Sequence, residues 1–416
     1  MHALTQLAIV WCSVYVAVFL SARTRLTPVL YFLATGSLLG NIGVLPTVPD
    51  PFIAGLAELG IVLIMFALGF EENPSRFVSS VKRSWGIALF GAVVPFLVGY
   101  GVTEYFWRDY HMSLMCGLAM TATAVSLTMV SLKSAGLQKS EAATGIMSSA
   151  VLDDIGSLIL IAVLIPIASG VGEITAGGLT IIVLKVVAFF AIVVFAGVVL
   201  FPEKANSPLA RIPVLRYFAM RSLLAFDRGE HATLGILLVA LVIGLLAHAF
   251  GFHPAIGAYM AGLILKDEYF LFSHDIDTNY YQRSRQIIDN VAFSWIGPVF
   301  FVNLGSHILF EWDVLLGVAP QALILFTGLF IGQIASAALA ARYTGGFNRA
   351  DSLLIGFGML GRAELAFVVM DIAYVQLPIL NTEAFYMLMA TAFALNVAVP
   401  LTIGWWKTRY APTPET

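Results

Sequence analysis

The chain has 416 residues, of which 59% are hydrophobic and only 11% charged, with a formal net charge of -3. A soluble domain carries about 25% charged residues, so a chain this poor in charge cannot cover a water-facing surface and must have lipid as its main solvent. No block of like charge offers a footprint for nucleic acid. The two cysteines, Cys12 and Cys116, lie in apolar runs and read as small buried hydrophobes, not as a disulfide or a metal site.

Crossing the hydrocarbon of a bilayer takes about 20 apolar residues of helix. The first such run, near 4–22, has no basic residue ahead of it and Arg23 and Arg25 behind it. A cleaved signal peptide has the opposite order, so a retained helix is expected. Further runs lie near 27–46, 52–70, 85–106, 112–135, 144–168, 177–201, 231–250, 254–266, 288–309, 313–342, 351–376 and 384–406. The expectation is an all-α membrane protein of about 13 transmembrane helices. The ninth run is short, and only Gly251 and Pro254 divide it from the eighth. The segment from Pro202 to Glu230, with Pro213 and five basic residues, reads as a solvated cytoplasmic linker between two halves, with room for an amphipathic surface helix. The short tail after Trp406 gives no expectation of a cytoplasmic regulatory domain.

Loop charge tests this count. Of the 22 Lys and Arg residues, nineteen fall in the odd-numbered loops and the C-terminus, while Arg108 alone falls in the even-numbered loops. Positive residues stay cytoplasmic, so the N-terminus is expected outside and the C-terminus inside a cell (inner) membrane. The cations left at membrane depth are Lys185 and Arg362, and the acids are Glu58, Asp153, Asp154, Glu364 and Asp371. Each costs roughly 2.5–3.5 kcal/mol at the bilayer centre unless paired, solvated or neutralised, which makes them the informative residues.

Taken in chain order, the fifth run holds Thr121-Ala122-Thr123-Ala124-Val125-Ser126-Leu127-Thr128, four hydroxyls in one stretch. Hydroxyls satisfy backbone groups freed where a helix unwinds, and unwound carbonyls border ion sites in transporters; back-bonding within an intact helix is the plainer reading. The sixth run carries Leu152-Asp153-Asp154-Ile155-Gly156. Neighbours on a helix point about 100° apart, so one carboxylate can face a packed partner while the other faces a cavity. Ionising both at once in an apolar site is costly. A carboxylate that trades its proton is what a proton carrier needs, and its oxygens are hard ligands for a sodium-like cation. The twelfth run, Gly356-Phe357-Gly358-Met359-Leu360-Gly361-Arg362-Ala363-Glu364, pairs three glycines with two charges. Gly-rich breaks at corresponding places in two halves point to an inverted repeat, and the twelfth run comes seven positions after the fifth, an odd step that inverts its direction. Lone histidines such as His248 and His253 read as packing residues. No His/Glu metal spacing, nucleophile elbow or cofactor motif appears, so neither an enzyme nor a cofactor is expected.

With Ala57-Glu58-Leu59-Gly60, Phe66-Ala67-Leu68-Gly69-Phe70-Glu71, His253-Pro254-Ala255-Ile256-Gly257-Ala258-Tyr259-Met260-Ala261-Gly262 and Pro298-Val299-Phe300-Phe301-Val302-Asn303-Leu304-Gly305, these motifs resemble the monovalent cation/proton antiporters of the NapA-like and Kef-like branch over nearly the whole length. The resemblance implies an inverted-repeat antiporter fold with crossed broken helices, a homodimer embedded in lipid, and exchange of Na+ or K+ for H+. It implies dimerisation domains at 1–80 and 231–310, a core ion-translocation domain at 81–170 and 311–408, and a linker at 171–230. The core would slide past the dimer domain. Asp154 would bind the monovalent cation, with Asp153 beside it and Thr121, Thr123 and Ser126 from the unwound helix around it. Gln333, Arg362 and Glu364 would support the core. One departure stands out. Electrogenic NapA-like members carry a lysine where this chain has Gln333, which can hydrogen-bond Asp153 but carries no proton. By the same resemblance Arg362 is structural and expected to pair with Glu364 or another core acid. Two other readings on this fold are a Kef-like potassium efflux module, which usually carries a nucleotide-binding domain and lacks the second aspartate, and sodium-coupled uptake of an organic anion or bicarbonate.

Overall fold

The computed structural model describes residues 3–24, 27–46, 48–71, 74–170, 176–199, 224, 231–265, 267–270, 280–309, 311–362 and 364–410. The expected linker from Pro202 to Glu230, apart from Leu224, lies outside the described residues. The described residues form helices and no strand, as a chain in lipid requires when every backbone group must be satisfied within its own segment.

The helices are α1 Ala3–Thr24, α2 Pro28–Asn41, α3 Pro51–Glu71, α4 Pro74–Trp107, α5 Tyr110–Ala119, α6 Val125–Ala135, α7 Glu141–Ala168, α8 Ala176–Val199, α9 Ala232–Ala249, α10 Pro254–Ile264, α11 Tyr280–Asn290, α12 Gly297–Ser306, α13 Trp312–Tyr343, α14 Arg349–Gly358, α15 Glu364–Asp371 and α16 Thr382–Tyr410. Their ends follow local chemistry. Asp109, Ser140 and Asn348 cap α5, α7 and α14 by accepting from the amides of Met112, Ala143 and Asp351. Gly136 closes α6 at φ +76°, where a side chain would be strained. Pro28, Pro51 and Pro254 open their helices, where a missing N–H costs nothing. Short π-helical turns join α11 to α12 (Val291–Trp295) and follow α15 (Ile372–Gln376).

Nine helical stretches among the described residues are long and apolar enough to cross a bilayer. The other expected runs are short (α2 and α10) or broken in two (α5/α6 and α14/α15). Sequence hydropathy counts a broken or short run as a span because composition carries no record of where the hydrogen-bond ladder stops.

The described helices divide between two compact units. The first comprises Met1–Tyr15, Leu45–Pro74 and Thr175–Gly305. Its centre is α10 against α3 and α9, brought close by glycines: a Cβ at Gly262 would strike the backbone of Phe70, at 2.5 Å from its N, and one at Gly257 the Cα of Gly244, at 2.7 Å. Glycine allows this approach, and close backbone packing is the main attraction between helices in lipid. The second unit comprises Val16–Val44, Ser75–Ile174 and Ser306–Thr416. It contains both broken helices and α7, and with them the aspartate pair.

Candidate functional site at the broken helices

The site begins where α5 stops. From Met120 to Ala124 the chain is not helical, although no glycine or proline lies there. The freed groups find partners one by one. The amides of Met120 and Thr121 donate to the carbonyls of Gly117 and Leu118, each at 3.1 Å. Thr121 Oγ1 donates to Leu118 O at 2.7 Å. The amide of Ala124 donates to Gly361 O at 2.9 Å, in the break between α14 and α15. Thr128 Oγ1 donates to Gly358 O at 2.6 Å. The two breaks therefore hold each other.

Thr123 turns to α7. Its amide and its Oγ1 both donate to Asp153 Oδ2, at 3.2 and 2.7 Å. Asp153 is 2% exposed, and its Oδ1 has no hydrogen-bond partner. Asp154, one residue on, is only half-buried. The 100° step between helix neighbours thus separates the pair into an anchored carboxylate and a more accessible one. Thr121 and Thr123 are both buried at the break, while the side chain of Ser126 lies outside the described residues.

The second break is organised around Arg362, 1% exposed. Its Nη1 donates to Leu360 O at 3.1 Å and Gly361 O at 3.0 Å, and its Nη2 to Gln333 Oε1 at 2.5 Å. The carbonyls at the end of a helix carry the negative end of its dipole, so the C-terminal side of α14 suits a guanidinium. Gln333 in turn donates from Nε2 to Gly91 O at 3.2 Å. Sequence reasoning offered Gln333 to Asp153 and a core acid to Arg362. Hydrogen bonding joins Gln333 and Arg362 to each other. Glu364, 8% exposed, opens α15, where the positive end of the helix dipole favours a carboxylate.

One organising residue escaped sequence reasoning. Asn396 on α16 accepts from the amide of Arg362 at 2.7 Å and donates to its carbonyl at 2.9 Å, so a single side chain replaces the ladder bonds lost there. The available signal was a lone amide in an apolar run, a feature that charge counting passes over. The other acids and the second cation at membrane depth lie elsewhere. Asp371 accepts from Gln376 Nε2 at 2.8 Å beside the π-turn, and Glu58 and Lys185, both exposed, belong to the first unit.

The resulting constellation is a carboxylate with one anchored oxygen, a second carboxylate beside it, and the polar ends of four half-helices. The chain as a whole is similar to known proteins. A family model described as sodium/hydrogen exchanger, transmembrane, matches residues 9–407. The Na(+)/H(+)-K(+) antiporter GerN of Bacillus cereus is 26% identical over 88% of this chain and 86% of its own. The glutathione-regulated potassium-efflux system protein KefC of Cronobacter sakazakii is 26% identical over 89% of this chain and 55% of its own. The solved structure of the sodium proton antiporter MjNhaP1 from Methanocaldococcus jannaschii matches in fold, with a TM-score of 0.69 at 14% identity, over 97% of this chain and 96% of that one.

Proposed function

The chain belongs to the sodium/hydrogen exchanger family, and from that premise we propose that it is a secondary antiporter exchanging Na+ or K+ for H+ across a cell membrane. The observation that carries the reading is the aspartate pair on α7, with Asp153 held by Thr123 at the break of α5/α6 and Asp154 half-buried next to it. Asp154 takes a proton or a cation in turn. When the cation arrives its charge replaces that of the departing proton, so binding one expels the other. Asp153 stays on Thr123 and keeps the site's oxygens in place, while the Arg362–Gln333 pair holds the crossing shut around them.

In the same reading the core of residues 81–170 and 311–408 moves as an elevator against dimerisation domains at 1–80 and 231–310, linked by 171–230, within a homodimer whose N-terminus lies outside and C-terminus inside. The names of the relatives support Na+ and K+ as the candidate cations. The KefC likeness keeps potassium efflux as the second reading, and flux without potassium would exclude it.

The test is flux in proteoliposomes loaded with a pH dye. Adding Na+ or K+ to the outside should change the internal pH, while choline should not, and no organic anion should be required. Absence of any response to Na+, K+ and Li+ would overturn the proposal.

A further inference from the structure

We propose that Ser157 is a ligand of the transported cation, completing a three-oxygen site with Asp153 and Asp154 along one side of α7; the proposal rests on the exchange reading given above. Several buried hydroxyls in the described membrane helices share a habit. Thr103 donates to Gly99 O at 2.9 Å, Ser131 to Leu127 O at 2.9 Å and Ser149 to Ile146 O at 3.0 Å. Such back-bonding to the preceding turn is how a helix in lipid satisfies a serine or threonine. Ser157 breaks the habit. It is 1% exposed, yet its Oγ bonds to nothing, although the carbonyls of Asp153 and Asp154 stand four and three residues back. A buried polar atom without a partner is unfavourable and rare. Asp153 Oδ1 is another such atom, four residues away on the same helix.

Helix geometry relates the three side chains. At about 100° per residue, Ser157 points about 40° from Asp153 and about 60° from Asp154, so it lies between the two carboxylates. The Cα–Cβ bonds of a helix lean toward its N-terminus, which tips the hydroxyl of Ser157 back over the aspartates. Residues four apart have Cβ atoms about 5–6 Å apart. An ion of sodium or calcium size holds its oxygens at roughly 2.3–2.6 Å, and therefore spans two oxygens up to about 5 Å apart. The hydroxyl supplies a hard oxygen lone pair without adding charge. Its role is then to set cation affinity and preference, leaving the proton count to the aspartates.

The experiment compares wild type, Ser157→Ala and Ser157→Thr in proteoliposomes, measuring KM and kcat separately for Na+ and K+. Ser157→Ala should raise the KM for the transported cation roughly tenfold or more, change the ratio of KM values between Na+ and K+, and keep kcat near that of the wild type. Ser157→Thr, which retains the hydroxyl, should restore KM. Should Ser157→Ala fail to fold, Ser157→Cys keeps the volume and exchanges a hard oxygen for a soft sulfur, and the same rise in KM is expected. Unchanged KM values in Ser157→Ala, or a fall in kcat alone, would overturn the proposal while leaving exchange itself standing. A wild type that exchanges neither cation would overturn the exchange reading, and this inference with it.

Discussion

Asp153 and Asp154 differ in surroundings because they are neighbours: one helix step turns the first into Thr123 and leaves the second half-buried. Gln333 shows a residue whose meaning depends on what it touches. Its amide accepts from Arg362 and donates to Gly91 O, so Gln333→Lys would remove an acceptor and set two cations together in a buried space. A hydrogen bond to a charged group contributes about 1.5–3 kcal/mol, and repulsion adds to its loss. Gln333→Lys should therefore melt in detergent well below the wild type, while Gln333→Glu, which retains an acceptor for the guanidinium, should melt closer to it. The reverse order would show that Arg362 does not depend on this partner. The aspartates were legible in the sequence because a carboxylate in an apolar run has no ordinary explanation. Asn396 and Ser157 were not, because single neutral polar residues occur in many membrane helices and only their partners, or the want of them, set these two apart.

The two broken helices carry the site, and they were legible to different degrees. Glycines at Gly356, Gly358 and Gly361 mark the second break directly. The first has no such residue between Ala119 and Val125, and it unwinds because tertiary bonds from Thr123 to Asp153 and from Ala124 to Gly361 O outweigh the local ladder. Hydroxyl density pointed to the region, but its limits come from partners far away in sequence. Packing at α10 makes a separate prediction. A leucine at Gly257 would drive its side chain into the Ile243–Gly244 backbone of α9, where even a Cβ would come within 2.7 Å of the Gly244 Cα. Overpacking of this kind costs about 1–3 kcal/mol or more, so Gly257→Leu should lower the unfolding midpoint and the exchange rate. Wild-type melting and flux in this variant would contradict the close approach of α9 and α10.

At the scale of the molecule, hydropathy located every helix among the described residues of the expected runs but could not distinguish a full span from a short or broken one, which is why nine long spans accompany the thirteen runs. The same scale decides charge movement. Gln333 is bonded to Arg362, and among the described residues no lysine joins this cluster, so the proposed exchange rests on the aspartates for its protons. Adjacent carboxylates in an apolar site titrate as a coupled pair, and emptying both is costly. On the reading proposed above, Asp153 on Thr123 stays in one state, Asp154 trades one proton for one cation, and the cycle moves no net charge. An imposed membrane potential should leave the exchange rate nearly unchanged, whereas potential-driven exchange would mean that Asp153 cycles a proton of its own. The central claim, that one carboxylate takes proton and cation by turns, is tested most directly by proton release in weakly buffered detergent solution. Adding the transported cation to the wild type should release about one proton per cation bound, and Asp154→Asn, which has the same shape but no titratable group, should release none. Cation binding without proton release in the wild type, or undiminished release from Asp154→Asn, would contradict the account.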